Sequence, residues 1–114
     1  MTATPQLIQP QWQRMTAKPD TLGESPFWHP HEGRLYWLDI PGQRLRRMQV
    51  GTDLSQVNAV EDWPLNEEPG CYAPAAEGGW VMALRSGVYR AQTWGGELTL
   101  LAAAPYDTTK LRFN

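Results

Sequence analysis

The sequence predicts an all-β fold, organised as a partial β-propeller of about two four-stranded blades and the start of a third. Aromatic and turn-forming residues are frequent, with six Trp, ten Pro and ten Gly in 114 residues, and this composition favours short strands. No stretch shows sustained apolar spacing of the helical kind, so we expect little or no helix. A strand-and-turn pattern in the first half recurs 45 residues later, a spacing typical of propeller blades.

Four glycines carry this repeat. Gly33 precedes one strand pattern and Gly42 marks the turn after it, while Gly78 and Gly87 hold the matching places in the second half. Each unit then continues with a third strand and a fourth candidate strand. Two unrelated β-meanders packed as a sandwich remain the alternative, because their turns also recur at short intervals.

The elements are assigned in chain order. The N-terminal extension, residues 1–20, contains a candidate closing strand at about 11–15. Blade 1 is expected at about 22–63 and blade 2 at about 70–103, with the start of blade 3 at about 111–114. The predicted strands of the two blades lie at 22–28, 35–38, 45–47 and 57–63, and at 71 onward, 80–84, 88–90 and 97–101.

A chain of 114 residues has too few predicted blades to form a closed propeller ring. Known propellers have at least about four blades, so we expect the chain to be the N-terminal part of one larger propeller domain. The alternative is that several copies assemble into a closed ring through their exposed blade edges.

Composition and charge narrow the function classes. The net charge of −2 argues against a nucleic-acid partner, and the Arg44, Arg46 and Arg47 cluster is interpreted as a solvated face. Cys71 is the one cysteine, expected to be a small buried residue, so no internal disulfide forms and a reducing compartment fits. We see no signal peptide and no apolar run of membrane-spanning length, which predicts a cytoplasmic protein without a membrane partner. The six tryptophans are expected to pack between blades.

Glu24 is the most informative single residue. It is a lone acid in an apolar strand, between Gly23 and Pro26, where burial of a charge is costly unless a cation or hydrogen bonds compensate it. On the residues alone, a strand acid satisfied by a backbone amide or an arginine is the favoured interpretation. By contrast, His29 and His31 lie in a Pro- and Gly-containing turn and are interpreted as turn residues.

Several motifs together resemble the N-terminal part of the gluconolactonase/regucalcin (senescence marker protein, SMP-30-like) family. They are LGESP at 22–26, GRLYWLDI at 33–40, GWVMAL at 79–84, GVYR at 87–90 and RFN at 112–114. The resemblance implies a six-bladed propeller that binds a divalent metal (calcium, zinc or magnesium) in its central channel. It also implies hydrolysis of sugar lactones.

The resemblance assigns roles to three residues. Glu24 matches the family's metal-binding glutamate, and Arg112 and Asn114 match residues that bind the sugar lactone. Ser25 stands where many members have a second glycine. No catalytic residue falls within the chain, because the family's general base and its other metal ligands come from later blades.

We therefore expect a metal-dependent lactonase in the complete protein and no turnover by these 114 residues alone. Two alternatives stay open. One is a non-catalytic propeller that binds calcium or a partner, and the other is a half-propeller whose copies self-assemble.

Overall fold

The computed structural model describes residues 2–51 and 59–114, which form eight strands and no helix. They are β1 (Gly23–His29), β2 (Arg34–Asp39), β3 (Arg44–Gln49), β4 (Val60–Pro64), β5 (Pro69–Pro74), β6 (Trp80–Leu84), β7 (Gly87–Ala91) and β8 (Thr99–Ala103). Within this described part, no helix has the length and apolar character needed to cross a bilayer.

The strands form two antiparallel sheets of four, each a simple meander. The first sheet has the order β1-β2-β3-β4 and the second the order β5-β6-β7-β8. Tight turns fix the register. Gly33 has a φ of 63° in the turn that leads into β2, and Gln43 has a φ of 52° between β2 and β3. The left-handed conformation suits the turn and permits the direct pairing of Asp39 with Arg44 beyond it.

The core lies between the two sheets. Alternation along β2 and β3 directs Tyr36, Leu38 and Leu45 to the same face of the first sheet. These side chains meet Trp80 and Met82 of β6, and the rings of Tyr36 and Trp80 are 4.5 Å apart. The arrangement is that of two neighbouring propeller blades, so the predicted all-β, partial-propeller fold is confirmed.

The loop between β7 and β8 seals the outer part of this interface. Trp94 lies 5.3 Å from the ring of Trp63, and the guanidinium of Arg47 stacks 4.1 Å from the ring centre of Trp94. Leu98 also packs against the core. Because the loop uses these residues for packing, β8 begins at Thr99, two residues later than the predicted strand at 97–101.

The expectation that all six tryptophans pack between blades is wrong. Trp63, Trp80 and Trp94 do so, but Trp12 is 89% exposed and Trp28 is half exposed. Trp37 is buried on the opposite face of the first sheet, under Arg46. Cys71 is exposed, contrary to its predicted burial, because its side chain lies on the face of β5 that no described residue covers.

Some predicted boundaries stay open. The fourth strand of the first sheet is observed at Val60–Pro64, whereas residues 57 and 58 of its predicted range, 57–63, lie outside the described part. Residues 11–15 and 111–114 pair with no strand among the described residues. The closing strand and the start of blade 3 therefore remain predictions.

Candidate functional site

Glu24 lies near the start of β1, opposite Leu38 of β2, and its side chain is exposed. The expected cost of burying this charge therefore does not arise. No ion pair or side-chain hydrogen bond connects Glu24 with another described residue. Its exposure makes the carboxylate accessible from solvent.

The strand is irregular immediately after Glu24. The register shifts between Glu24 and Phe27, and Ser25 has a φ of 54°. A β-bulge of this kind bends a strand and changes the direction of its side chains. A left-handed conformation at a residue with a side chain is unfavourable, so surrounding contacts must hold it.

Tyr72 of β5 supplies such a contact. Its hydroxyl donates a hydrogen bond of 2.8 Å to the carbonyl oxygen of Ser25. Burial raises the pKa of Tyr72, which keeps the hydroxyl protonated and able to donate. The first strands of the two sheets are therefore tied together one residue from Glu24.

The segment that carries Arg112 and Asn114 packs against the other end of β5. A Cβ atom added at Gly70 would lie 2.6 Å from the carbonyl carbon of Phe113, so only glycine permits this approach. The ring of Phe113 also meets Tyr106 at 5.3 Å. Residues 112–114 are thus positioned by direct contact with the first strand of blade 2.

Glu68 lies beside Arg112. Its Oε2 is 3.8 Å from the Arg112 Nε and 2.8 Å from the Nη1 of Arg85. The Nη1 of Arg112 donates to the carbonyl of Phe113 at 3.0 Å, while Asn114 is exposed. Among the described residues, no hydrogen bond or ion pair joins the side chain of Glu24 to Arg112 or Asn114. Instead, β5 contacts both the β1 region and the 112–114 segment.

Among the predicted site residues, Glu24 is the one with a carboxylate that a metal ion could use. A carboxylate is a hard oxygen ligand suited to calcium or magnesium, and the exposed Glu24 fits that role. Calcium requires about six to eight oxygens. No group of three or more His, Cys, Asp or Glu side chains gathers within residues 2–51 and 59–114, so these residues do not complete the set.

The sequence interpretation missed an ionic network on the face of the first sheet that carries Trp37. Arg46 is paired with Asp20, and its Nε donates to Asp62 at 2.7 Å. Asp20 also accepts the Trp37 indole N–H at 2.6 Å. Arg46 is 11% exposed, so the prediction of a solvated arginine face is wrong for this residue. The sequence pattern did not show the pair because Asp20 lies 26 positions away from Arg46.

Arg47 is also largely buried, at 13% exposure. It lies on the opposite face, pairs with Glu61 at 2.7 Å and stacks on Trp94. Arg46 and Arg47 thus lie on opposite faces of the sheet, because successive side chains alternate along a strand.

Asp39 is the buried member of the network. Its Oδ1 accepts the backbone N–H of Leu22 at 3.1 Å, and its Oδ2 accepts Nη2 of Arg44 at 3.0 Å. Burial by itself would raise the pKa of Asp39, but hydrogen bonds from Leu22, Arg44 and the Thr21 backbone outweigh it and lower the pKa. The sequence contained a signal for this contact. Asp39 stands just before a Pro-Gly turn and Arg44 just after it, which predicts that the two side chains lie opposite each other.

Comparison with known sequences identifies the family. Residues 22–114 match the family described as SMP-30/Gluconolactonase/LRE-like region. The chain belongs to this family. Its relatives include a 6-deoxy-6-sulfogluconolactonase of Pseudomonas putida, 37% identical over 97 residues, which cover 85% of this chain and 32% of that protein.

Other relatives carry related names. A regucalcin of Xenopus laevis is 35% identical over 94 residues, covering 82% of this chain and 29% of that protein. A pentonolactonase of Haloferax volcanii is 65% identical over 31 residues, covering 27% of this chain and 11% of that protein. The chain spans about a third of the length of the first two of these relatives.

The fold has a solved counterpart. The crystal structure of a calcium-binding protein, regucalcin, from Agrobacterium tumefaciens superposes with a TM-score of 0.63 at 23% sequence identity. The match covers 75% of this chain and 28% of that one. It supports the assignment of the two sheets as consecutive blades of a propeller.

Proposed function

We propose that this chain contributes the first blades of a metal-dependent sugar lactonase, in which Glu24 binds the divalent cation. The observation that carries the proposal is the exposed carboxylate of Glu24 on the first strand of the first sheet, which pairs with no side chain among residues 2–51 and 59–114. Two relatives named as lactonases support the reaction class. Calcium, zinc and magnesium are the candidate ions.

The bound cation would supply Lewis-acid polarisation of the lactone carbonyl and a lowered pKa for a water. The chain's own residues have binding roles. Arg112 presents a planar fork of donors to hydroxyl or carboxylate oxygens of a sugar lactone. Asn114 offers both a donor and an acceptor for orienting a polyol. Nε of Arg112 faces Glu68 and Nη1 donates to the Phe113 carbonyl, but the side chain is still 32% exposed, which leaves part of the guanidinium accessible.

Hydrolysis also needs a general base and further metal ligands. We propose that these groups come from blades other than the two described. On this proposal, residues 1–114 by themselves bind calcium weakly and do not hydrolyse a lactone. We place the protein in the cytoplasm, where its lone exposed cysteine is compatible with a reducing environment.

The test uses the natural protein that contains these 114 residues. Hydrolysis of an aldonolactone is followed by acid release at constant pH, with calcium, zinc or magnesium added after chelation. We expect Glu24→Gln to reduce kcat/KM at least about 100-fold, since a metal ligand is lost. Glu77→Gln alters another exposed acid of the described structure and should leave the rate unchanged. Equal rates for wild type and Glu24→Gln would reject the proposal.

A non-catalytic calcium-binding propeller is the second candidate. The calcium-binding name of the structural neighbour favours it. In that case, calorimetry would show calcium binding that Glu24→Gln weakens, while the hydrolysis assay would give no metal-dependent rate with any aldonolactone.

Self-assembly of copies is the third candidate, and it rests on β8. This strand is the edge of the second sheet, and Leu100 and Leu101 are both more than half exposed. An apolar exposed edge favours pairing between chains. Size-exclusion chromatography with light scattering would exclude this candidate if the chain is a monomer at micromolar concentration.

A further inference from the structure

Asp39 has a buried carboxylate that the proposed mechanism does not use. It is 1% exposed, which makes it the least exposed charged residue in the described part of the chain. Both of its oxygens are occupied by different donors. Oδ1 accepts from the Leu22 backbone, and Oδ2 accepts from Nη2 and Nε of Arg44 at 3.0 and 3.3 Å.

The first of these bonds holds the backbone that leads into Glu24. Leu22 is bound at both of its polar backbone atoms, because its carbonyl also accepts the N–H of Ile40 at 3.1 Å. Gly23, directly before Glu24, pairs opposite Asp39 itself. Asp39 and Ile40 therefore hold the two residues that precede Glu24.

The residues that follow Glu24 are paired less regularly with β2. The pairing of β1 with β2 is interrupted between Glu24 and Phe27, and Ser25 is left-handed. The Tyr72 hydroxyl holds the Ser25 carbonyl, but regular sheet pairing resumes only at Phe27. Glu24 itself pairs opposite Leu38, so its position is held by that pair and by the contacts that precede it.

The Asp39 carboxylate is itself held in one orientation. A Cβ atom at Gly42 would lie 2.7 Å from its Cγ, so the β2–β3 turn closes over the group without a side chain between them. Arg44 is fixed in turn by Asp62, whose Oδ2 accepts Nη1 at 3.1 Å. A carboxylate with this restriction can act as a rigid support.

We infer that Asp39 is a positioning residue for Glu24, which it orients through the Leu22 backbone while Arg44 neutralises its charge. The inference rests on the proposed role of Glu24 as a metal ligand. Groups that orient a ligand without touching the metal commonly contribute 10- to 100-fold to metal affinity. Asp39 supports the backbone rather than the side chain of the ligand, so we expect about a tenfold effect.

The use of both oxygens makes Asp39→Asn a sharp variant. An asparagine has one oxygen and one NH2 group, and it cannot accept from both Leu22 and Arg44. At one of the two contacts, the NH2 group of the new side chain must therefore face the N–H of Leu22 or of Arg44, which is also a donor. If Arg44 is replaced as well, in Asp39→Asn/Arg44→Met, the single oxygen is free to accept from Leu22 again.

Calcium affinity is measured by calorimetry on the natural protein that contains these residues, together with amide hydrogen exchange at Leu22. We expect Asp39→Asn to weaken calcium binding about tenfold and to accelerate exchange at Leu22. The double variant should recover most of both. Glu61→Gln, which removes an acid of β4 that pairs with Arg47 on the other face of the sheet, should change neither.

Three outcomes would overturn the inference. Calcium affinity within twofold of wild type, with faster exchange at Leu22, would show that freeing this backbone does not matter to the metal. Weaker affinity without recovery in the double variant would assign the effect to charge or to general stability. If Glu24→Gln leaves calcium affinity unchanged, the proposed ligand role fails first, and Asp39 then supports a strand rather than a metal site.

Discussion

Gly70 gives the sharpest test of how the 112–114 segment is held. Gly70 does not adopt the left-handed backbone conformation, so alanine is compatible with its backbone, and the effect of Gly70→Ala comes from space alone. The added Cβ would lie 2.6 Å from the carbonyl carbon and 3.0 Å from the Cβ of Phe113. Ordinary contact between carbon atoms needs about 3.5 Å, so Phe113 must move by about 1 Å.

The magnitude follows from the contacts that this movement disrupts. The Tyr106–Phe113 ring pair contributes about 0.5–1.5 kcal/mol, and the partly exposed Arg112–Glu68 pair contributes about 0.2–1 kcal/mol. We therefore expect Gly70→Ala to lower the free energy of unfolding by about 1–2 kcal/mol. For a domain of this size, that corresponds to a fall in Tm of roughly 5–15 °C.

The assay is urea denaturation of the 114-residue chain, with NMR shifts of Phe113 and Tyr106 as a local measure. Gly51→Ala is the matched control, because a Cβ there meets no described residue within 4 Å. The control should be neutral or stabilise the chain by up to about 1 kcal/mol, through lower entropy of the unfolded state. If Gly70→Ala behaves like the control and leaves Phe113 unshifted, residues 112–114 do not pack on β5.

Three further predictions concern single sites. Because the pKa of Asp39 is lowered on folding, its stabilising contribution is present above the ordinary pKa near 3.8 and is lost as the pH falls through the lower folded value. Wild type should therefore lose its advantage over Asp39→Asn as the pH of the urea titrations is lowered below 3.8. Ser25→Gly should stabilise the chain by up to about 1 kcal/mol by relieving the left-handed conformation, whereas Ser25→Ala, which keeps that strain, should show no gain in the same titration. Leu101→Lys should reduce self-association in light scattering while changing stability by less than about 0.5 kcal/mol, and an unchanged scattering mass would argue against pairing through β8.

The sequence predicted the sheets well because their signals are local. The strand around Tyr36 and Trp37 alternates between two faces, and the glycines at 33, 42 and 78 lie between strands as predicted. Gly87 was predicted in a turn but is the first residue of β7. The start of β8 was wrong by two residues, because Trp94 and Leu98 pack on the core and delay the strand. That packing depends on residues of the other sheet, which a local pattern does not contain.

The candidate site was predicted unevenly for the same reason. Resemblance identified Glu24, Arg112 and Asn114, but only the structure shows that Glu24 is exposed and that Phe113 rests on Gly70. Arg46 was interpreted as solvated because its partner Asp20 lies outside the strand pattern. Residues whose environment is set by distant parts of the chain were the ones that local reasoning missed.

The aromatic cluster between the sheets has an optical consequence. Trp63, Trp80 and Trp94 share one buried environment with Tyr36, and they become closely packed only when the two sheets meet. Near-ultraviolet circular dichroism reports such fixed aromatic packing, whereas the far-ultraviolet signal reports the backbone. Stopped-flow measurements at the two wavelengths would therefore separate the time at which strands form from the time at which the blades dock, without any added label.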